Sequence, residues 1–282
     1  MRDLEDVNCP LCHAADRQLW AAENGFKCVR CLSCGLLYVT PRPYSDETNK
    51  AVQLGRHSLE DGSELDTRAK RGVTKERSQA RVVRSLYKDE LRKQCPLTWL
   101  DVGAGYGEFV AMLQRVLPKA SIVEGIEPMA HKVTVASSLS IPVRQGYVTT
   151  VSGRFDVVSL IDVFSHIPEF GAFLHGIKRV LCQNGELLLK TGNASDIGDR
   201  RHFPGPLNLP DHLVLGGVPQ LTRFLSEAGF EVVAIHSQRI DGIWYSLKNV
   251  IKLFLGKPVF LCFPYTSPTR TLWIRARLKG IK

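Results

Sequence analysis

The 282-residue sequence predicts an α/β protein with a mostly parallel sheet covered on both faces, preceded by a small cysteine-rich module. Three observations carry that expectation. From Pro96 onward, apolar strand-like runs alternate with segments of helical apolar period. One of these runs, LTWLDV, feeds directly into the turn Gly103-Ala-Gly105-Tyr-Gly107. Ahead of them, residues 1–40 hold five of the eight cysteines.

The length suits one large domain with a small appendage. Hydrophobic residues at 44% and charged residues at 23% fit a globular enzyme. A net charge of +9 favours acidic partners (phosphorylated substrates, nucleic acid or anionic membrane surfaces) without choosing among them. The start, MRDLED, is acidic and lacks the apolar core of a signal peptide. The most apolar stretch, WYSLKNVIKLFLGKPVFLCF, is interrupted by Lys248, Lys252 and Lys257, so no membrane span and a cytoplasmic location are expected. Within it, SLKNVIKLFLGK is basic and amphipathic; it is expected to pack on the fold near the substrate opening, with contact to a membrane surface as the alternative.

Along the chain, residues 1–43 form the cysteine module and residues 44–95 a linker and basic helical cap. Residues 96–282 form the main domain. The polar stretch 44–73 has little apolar period. A helix is expected over 74–93, with Ala80, Val83, Tyr87 and Leu91 on one face and basic residues on the other. After LTWLDV and the glycine turn, EFVAMLQRVL reads as a helix stopped by Pro118. ASIVEGIE, IPVRQG and RFDVVSLIDV follow as strands, the second short. Phe170, Phe173, Leu174, Ile177, Val180 and Leu181 mark a helix, and Asn184-Gly185 turns the chain into ELLLKT. The Gly-, Pro- and His-rich stretch 198–217 reads as a long irregular loop, part of a substrate loop at about 194–217. PQLTRFLSEAGF has proline near a helix start and glycine past its end, and FEVVAIH and TLWIRARL are strands.

Cys9, Cys12, Cys31 and Cys34 follow C-x2-C-x18-C-x2-C, the spacing of a tetrahedral zinc site, with Cys28 a competing ligand. CLSCG favours Cys31 and Cys34, because Gly35 suits a turn whose N–H groups face thiolate sulfur. Four thiolates leave no open position for a reactant, so the zinc is expected to be structural.

The glycine turn offers close backbone approach and free N–H groups at a helix start. Glu127, at the end of the second strand, is placed to accept hydrogen bonds from ribose hydroxyls. A dinucleotide site would want glycine at position 108, where Glu stands. Asp101 would repel a pyrophosphate and suits a cofactor carrying positive charge.

LDVGAGYG, the IEP run at 126–128, FDVVSLIDVFSHIPE and NGELLLKTGN resemble, in order and spacing, motifs of the class I S-adenosylmethionine-dependent methyltransferases. The resemblance implies a Rossmann-like seven-stranded sheet whose last two strands are an antiparallel pair, and S-adenosylmethionine as cofactor. It implies that Asp101, Gly103, Ala104 and Gly105 line the methionine end, with Gly107 in the turn. Glu127 and Pro128 would hold the ribose, Gly146 and Tyr147 would flank adenine, and Asp162 would face the amino-acid portion. CVRCLSCGLLYVTPRP resembles the zinc-binding segment ahead of some bacterial methyltransferases, sugar C-methyltransferases among them.

Methyl transfer needs alignment of the acceptor and, at oxygen or carbon, often a base. His166, Asp211 and His212 are the candidates. His166 either acts or packs beneath the substrate loop, and Asp211 either acts or caps a turn or helix. Asn193 either positions substrate or caps a turn, and His202 is a candidate substrate contact. The expected substrate is a small molecule, such as a sugar, nucleotide-linked or natural-product intermediate. RNA gripped by the cysteine module and the basic helix is the alternative, with a non-catalytic scaffold as the third reading.

Overall fold

The computed structural model describes residues 4–59, 61–68, 76–194, 206–239, 250–256 and 270–280. Its cysteine-rich start forms β1 (Leu4–Glu5), β2 (Arg17–Glu23), β3 (Phe26–Cys31), β4 (Leu37–Val39) and β5 (Arg42–Pro43). Asn24 and Gly25, at φ 55° and 82°, make the two-residue turn that pairs β2 antiparallel with β3.

Residues 44–68 are more structured than a linker. They form α1 (Ser45–Leu54), β6 (Arg56–Ser58) and β7 (Glu64–Asp66). Only Thr48 and Ala51 of α1 are buried, so no apolar stripe marks the helix. The helix expected over 74–93 is two helices, α2 (Glu76–Leu86) and α3 (Lys88–Arg92), its first two residues lying outside the described ones. The break falls at Tyr87, whose ring packs against Trp99 with centroids 5.0 Å apart and under the Arg275 guanidinium.

Strands and helices then alternate: β8 (Thr98–Val102), α4 (Glu108–Val116), β9 (Ile122–Glu127), α5 (Ala130–Ser138), β10 (Val143–Gln145) and β11 (Phe155–Ile161). They continue as α6 (Phe170–Arg179), β12 (Leu181–Gly192), β13 (Val214–Leu215), α7 (Val218–Glu227), β14 (Phe230–Arg239) and β15 (Arg270–Leu278). Helix α5 buries only Ala136, so its sequence shows no apolar stripe. The stretch expected to be irregular contains β13, paired antiparallel with β4 of the cysteine module.

Seven strands make one sheet in the order β10-β9-β8-β11-β12-β15-β14. β15 runs antiparallel to β12 and β14, and the remaining neighbours are parallel. The strand order reverses between β8 and β11, and crevices of such sheets open beyond the carboxyl ends at that point. Trp99, Val157, Leu188 and Trp273 face the layer of α2, α4 and α5. Leu100, Val158, Leu187 and Leu189 face α6, α7 and the Leu36–Val39 stretch of the module. The cysteine module therefore sits over the face opposite the basic helix α2.

Buried charge fastens α2 and α3 to the sheet. Glu186 accepts from Arg275 Nε at 2.6 Å and from Arg277 Nη2 at 2.8 Å. Arg275 also donates to Glu90 at 2.5 Å and to the Leu86 carbonyl. Removing Glu186 leaves the largely buried Arg275 with Glu90 as its one remaining anionic partner among the described residues. Glu186→Ala is expected to lower the unfolding free energy by about 1.5–3 kcal/mol in urea melts, less than for a wholly unpaired charge because Glu90 remains; a loss under about 1 kcal/mol would mean the network does not hold this edge together.

Candidate functional site

At the end of β8, Asp101 is buried. Ser159 Oγ donates to Asp101 Oδ1 at 2.5 Å and itself accepts from Trp99 Nε1 at 2.9 Å. Burial pushes the Asp101 carboxyl up to about 7, the Ser159 bond opposing the shift and the charge of Glu127 adding to it. A carboxylate so short of positive charge favours a cationic ligand.

The glycine turn folds back onto β9. The N–H groups of Gly103 and Ala104 donate to the Ile126 carbonyl at 2.8 and 2.9 Å. Gly105 N–H donates to Glu127 Oε2 at 2.9 Å, and Met129 N–H donates to Oε1 at 3.1 Å. A side chain on Gly105 would meet nothing within 4 Å, so this glycine faces open space. Gly107 instead serves the packing. At φ 81° it caps α4, and a Cβ there would lie 2.6 Å from Ile141 Cγ2. Gly146 N–H donates to the Glu127 carbonyl at 3.2 Å, and Gln145 Nε2 to the Pro128 carbonyl at 3.1 Å. Tyr147 Oη accepts from Gln53 Nε2 of α1 at 2.8 Å. Asp162, just past β11, is ion-paired with the buried Lys190, whose ammonium lies over the Trp273 ring. Asn193 follows β12 and is half-buried; His202 lies outside the described residues.

A second cluster forms where the 206–217 stretch crosses the sheet. Leu213 N–H donates to the Ser165 carbonyl at 2.7 Å, and Val39 N–H donates to the Leu213 carbonyl at 2.9 Å. The Glu23 carboxylate at the end of β2 accepts from the N–H groups of Leu207, Asn208 and Leu209 at 2.8, 2.6 and 3.3 Å. So held, Asp211 and His212 meet His166. Asp211 Oδ1 accepts from His166 Nδ1 at 3.1 Å, and the Asp211 carbonyl lies 2.9 Å from the same nitrogen. The cap of α7 is Gly217, so Asp211 does not cap that helix.

Asp211 Oδ1 also accepts from His57 Nε2 of β6 at 3.0 Å. Nothing in the sequence singles out His57, because a lone histidine in a polar stretch carries no spacing signal. Burial works against ionising Asp211, but the bonds from His166 and His57 hold its carboxyl far below the usual carboxylate range. His166 is driven down by burial, yet its bond to Asp211 raises it above the ordinary imidazole value. His212, with its ring centroid 4.8 Å from that of His166, is pushed the other way by burial and by the His166 charge. His212 Nδ1 donates to the Leu207 carbonyl at 2.8 Å, which leaves Nε2 with a free lone pair.

In the module, the sulfurs of Cys9, Cys12, Cys31 and Cys34 all lie within 4.8 Å of one another. Cys9 and Cys34 are 3.5 Å apart, and Cys12 and Cys31 are 3.4 Å apart. Cys28, buried in β3, is not part of the cluster. Burial raises the Cys9 thiol to about 11, whereas N–H groups of Cys34 and Ser33 bring Cys31, against burial, down to about 7. Gln220 of α7 links cluster and domain: its Nε2 donates to the Cys34 carbonyl at 2.7 Å, and its Oε1 accepts from Gly217 N–H at 3.1 Å.

Residues 73–235 match the methyltransferase-domain family model, and the chain belongs to that family. The sheet is that of the class I, S-adenosylmethionine-dependent members. No curated protein matches the chain in sequence. Among solved structures, the [4+2]-cyclase SpnF is 16% identical with a TM-score of 0.52, over 73% of this chain and 82% of that one. Magnesium protoporphyrin IX methyltransferase from Synechocystis PCC 6803, with bound SAH, is 13% identical with a TM-score of 0.50, over 75% and 89%. These two likenesses show the fold. YcgJ from Bacillus subtilis is 14% identical with a TM-score of 0.49, over 73% and 100%.

The raised Asp101 carboxyl sets a pH dependence. In the free protein, stability is expected to fall as pH rises between the ordinary value of 3.8 and about 7, because folding disfavours the ionised form. A cation bound at Asp101 needs that ionised form. Calorimetric affinity for S-adenosylmethionine should therefore strengthen about tenfold per pH unit below about 7 and level off above it. Asp101→Asn should bind more weakly, with a flat profile; a wild-type profile that is flat would contradict this role.

Proposed function

We propose that the protein transfers a methyl group from S-adenosylmethionine to a small-molecule acceptor, such as a sugar, nucleotide-linked or natural-product intermediate, with a structural zinc in the four-cysteine cluster. The open space at Gly105, the under-compensated carboxyl of Asp101 and the spare lone pairs of Glu127 fit the cofactor. Asp101, Gly103, Ala104 and Gly105 would hold its methionine end; Glu127 and Pro128 would hold the ribose, with Gly146 and Tyr147 beside the base. When bound, it supplies a methyl group activated on a sulfonium.

The observation that carries the acceptor side is the geometry of two half-buried imidazoles around Asp211: His166 Nδ1 donates to Asp211 Oδ1 at 3.1 Å and the His212 ring centroid lies 4.8 Å from that of His166, the two being displaced in opposite directions from their ordinary value. Titratable neighbours pushed apart in this way divide acid and base roles. His212 stays neutral near pH 7 and takes the acceptor proton at Nε2. Asp211 raises the proton affinity of His166, and in its protonated form the His166 imidazolium steadies the negative charge that develops on the acceptor. Asn193 and His202 are proposed substrate contacts, and Asp162, bound to Lys190, borders the same opening.

Labelled S-adenosylmethionine, offered to nucleotide-linked sugars and separately to total RNA, tests this reading. Label should enter the small-molecule pool. His212→Ala should cut that incorporation roughly 100-fold or more. Label found in RNA, lost steeply as salt rises, would favour the alternative; the basic helix and the cysteine module lying over opposite faces supports the small-molecule reading.

Four sulfurs at these separations suit zinc–sulfur bonds of about 2.3 Å. Metal analysis is expected to find about one zinc per chain, lost in Cys31→Ser. That loss should lower methyl transfer more than S-adenosylmethionine binding, because among the described residues the module hydrogen-bonds the 207–213 stretch and not the glycine turn. Equal loss of both would contradict the assignment.

A further inference from the structure

The segment between the cysteine module and the main domain is a polar stretch with no motif, yet it reaches both halves of the site. Gln53 of α1 donates to Tyr147 Oη, and Gly55 sits so close to Met129 that a Cβ would lie 2.6 Å from its Cε. Two residues further on, β6 carries His57 into the interior, where its side chain is 4% exposed and its Nε2 lies 3.0 Å from Asp211 Oδ1. A carboxylate oxygen only accepts, so His57 Nε2 carries the proton of that bond. The same oxygen takes the proton of His166 Nδ1. One carboxylate oxygen thus lies between two imidazoles delivered by elements on either side of it.

We propose that His57 is a positioning residue of the acceptor-activating centre: its Nε2–H pins Asp211 Oδ1 in the orientation in which that oxygen also accepts from His166 Nδ1. A carboxylate on a loop can rotate about its own side-chain bonds, and a single donor leaves one such rotation open. A second donor on the same oxygen, from a buried ring that cannot itself turn away, removes it. His166 then meets a fixed acceptor, its ring is oriented, and its remaining nitrogen points one way. No substrate contact is ascribed to His57; it acts through Asp211. This deepens the proposed function and rests on the assignment of His166 and Asp211 to the acceptor side.

Among the described residues, the titratable and charged groups that face this centre are His57, His166, Asp211 and His212, with Lys132 of α5 and Asp162 acting at longer range. Two effects of removing His57 have opposite signs. If His57 were only a neutral neighbour, its loss would leave more of the Asp211 charge for His166 and would hold or raise the His166 proton affinity. If it positions Asp211, its loss lets the carboxylate swing away, and burial of His166 goes uncompensated.

The test is an NMR pH titration of isotopically labelled histidines in the full-length protein, needing no acceptor. His57→Leu is expected to weaken proton binding at His166 roughly tenfold, a fall of about one pH unit. His57→Gln, whose amide can still donate to Asp211, should titrate as wild type. If the leucine variant does not fold, as judged by S-adenosylmethionine binding, His57→Asn, too short to reach Asp211, gives the same reading. An unchanged or raised His166 titration in these variants overturns the role of His57. Asp211→Asn in parallel tells the two ideas apart. If it also leaves His166 unmoved, the assignment of the centre fails; if it lowers His166 while His57→Leu does not, only the role of His57 fails.

Discussion

The peptide at Leu213 ties the cysteine module to the turn after β11. Its N–H goes to the carbonyl of Ser165, in the turn after β11, and its carbonyl takes the N–H of Val39, in the cysteine module. Because it is hydrogen-bonded on both sides, Asp211 and His212 arrive beside His166 at a fixed height above the sheet. A backbone group in a buried place must find a partner, and here each partner belongs to a different unit. The Glu23 carboxylate repeats the constraint one turn earlier, gathering three successive N–H groups of the same stretch. The module is therefore a clamp on the stretch that carries Asp211 and His212, the acceptor side of the proposed reaction.

The two halves of the site are built on different principles. The proposed cofactor side comes from neighbouring strand ends: β8, its glycine turn and β9 are joined by short backbone bonds, and Glu127 closes the loop by accepting from Gly105. The proposed acceptor side is assembled from β6, the turn after β11 and the stretch before β13. It has no local reason to exist and is held by the backbone bonds of Leu213, by the Glu23 carboxylate and by the bonds that meet at Asp211. Such a buried polar cluster is stable only when every member is satisfied. The bonds of Asp211 to His57 and His166, and of His212 to Leu207, meet that requirement.

This difference explains which parts are legible in the residues. LDVGAGYG and the carboxylate after the second strand are local, so strand, turn, helix and acidic partner are all visible in a few neighbouring positions. FEVVAIH and TLWIRARL are likewise legible as strands, and they pair antiparallel as expected. The β2–β3 hairpin does not emerge from the cysteine spacing, although Asn24-Gly25 at its tip is a strong turn signal. Helices α1 and α5 bury too few apolar residues to leave a periodic trace. His57 cannot be found from spacing at all, since its meaning comes from an aspartate 154 residues away. Likewise, only the structure shows that the Asp211 side chain turns to two histidines and not to the start of α7.

Amide hydrogen exchange at Leu213 and Val39, followed with the cysteine cluster loaded with zinc and again after chelation, tests the clamp most directly. Loaded protein should protect both amides, and chelation should release both together while the amides of β8 and β11 stay protected. Protection at Leu213 that is indifferent to the metal would contradict the clamp, because the acceptor side would then be held by the domain alone.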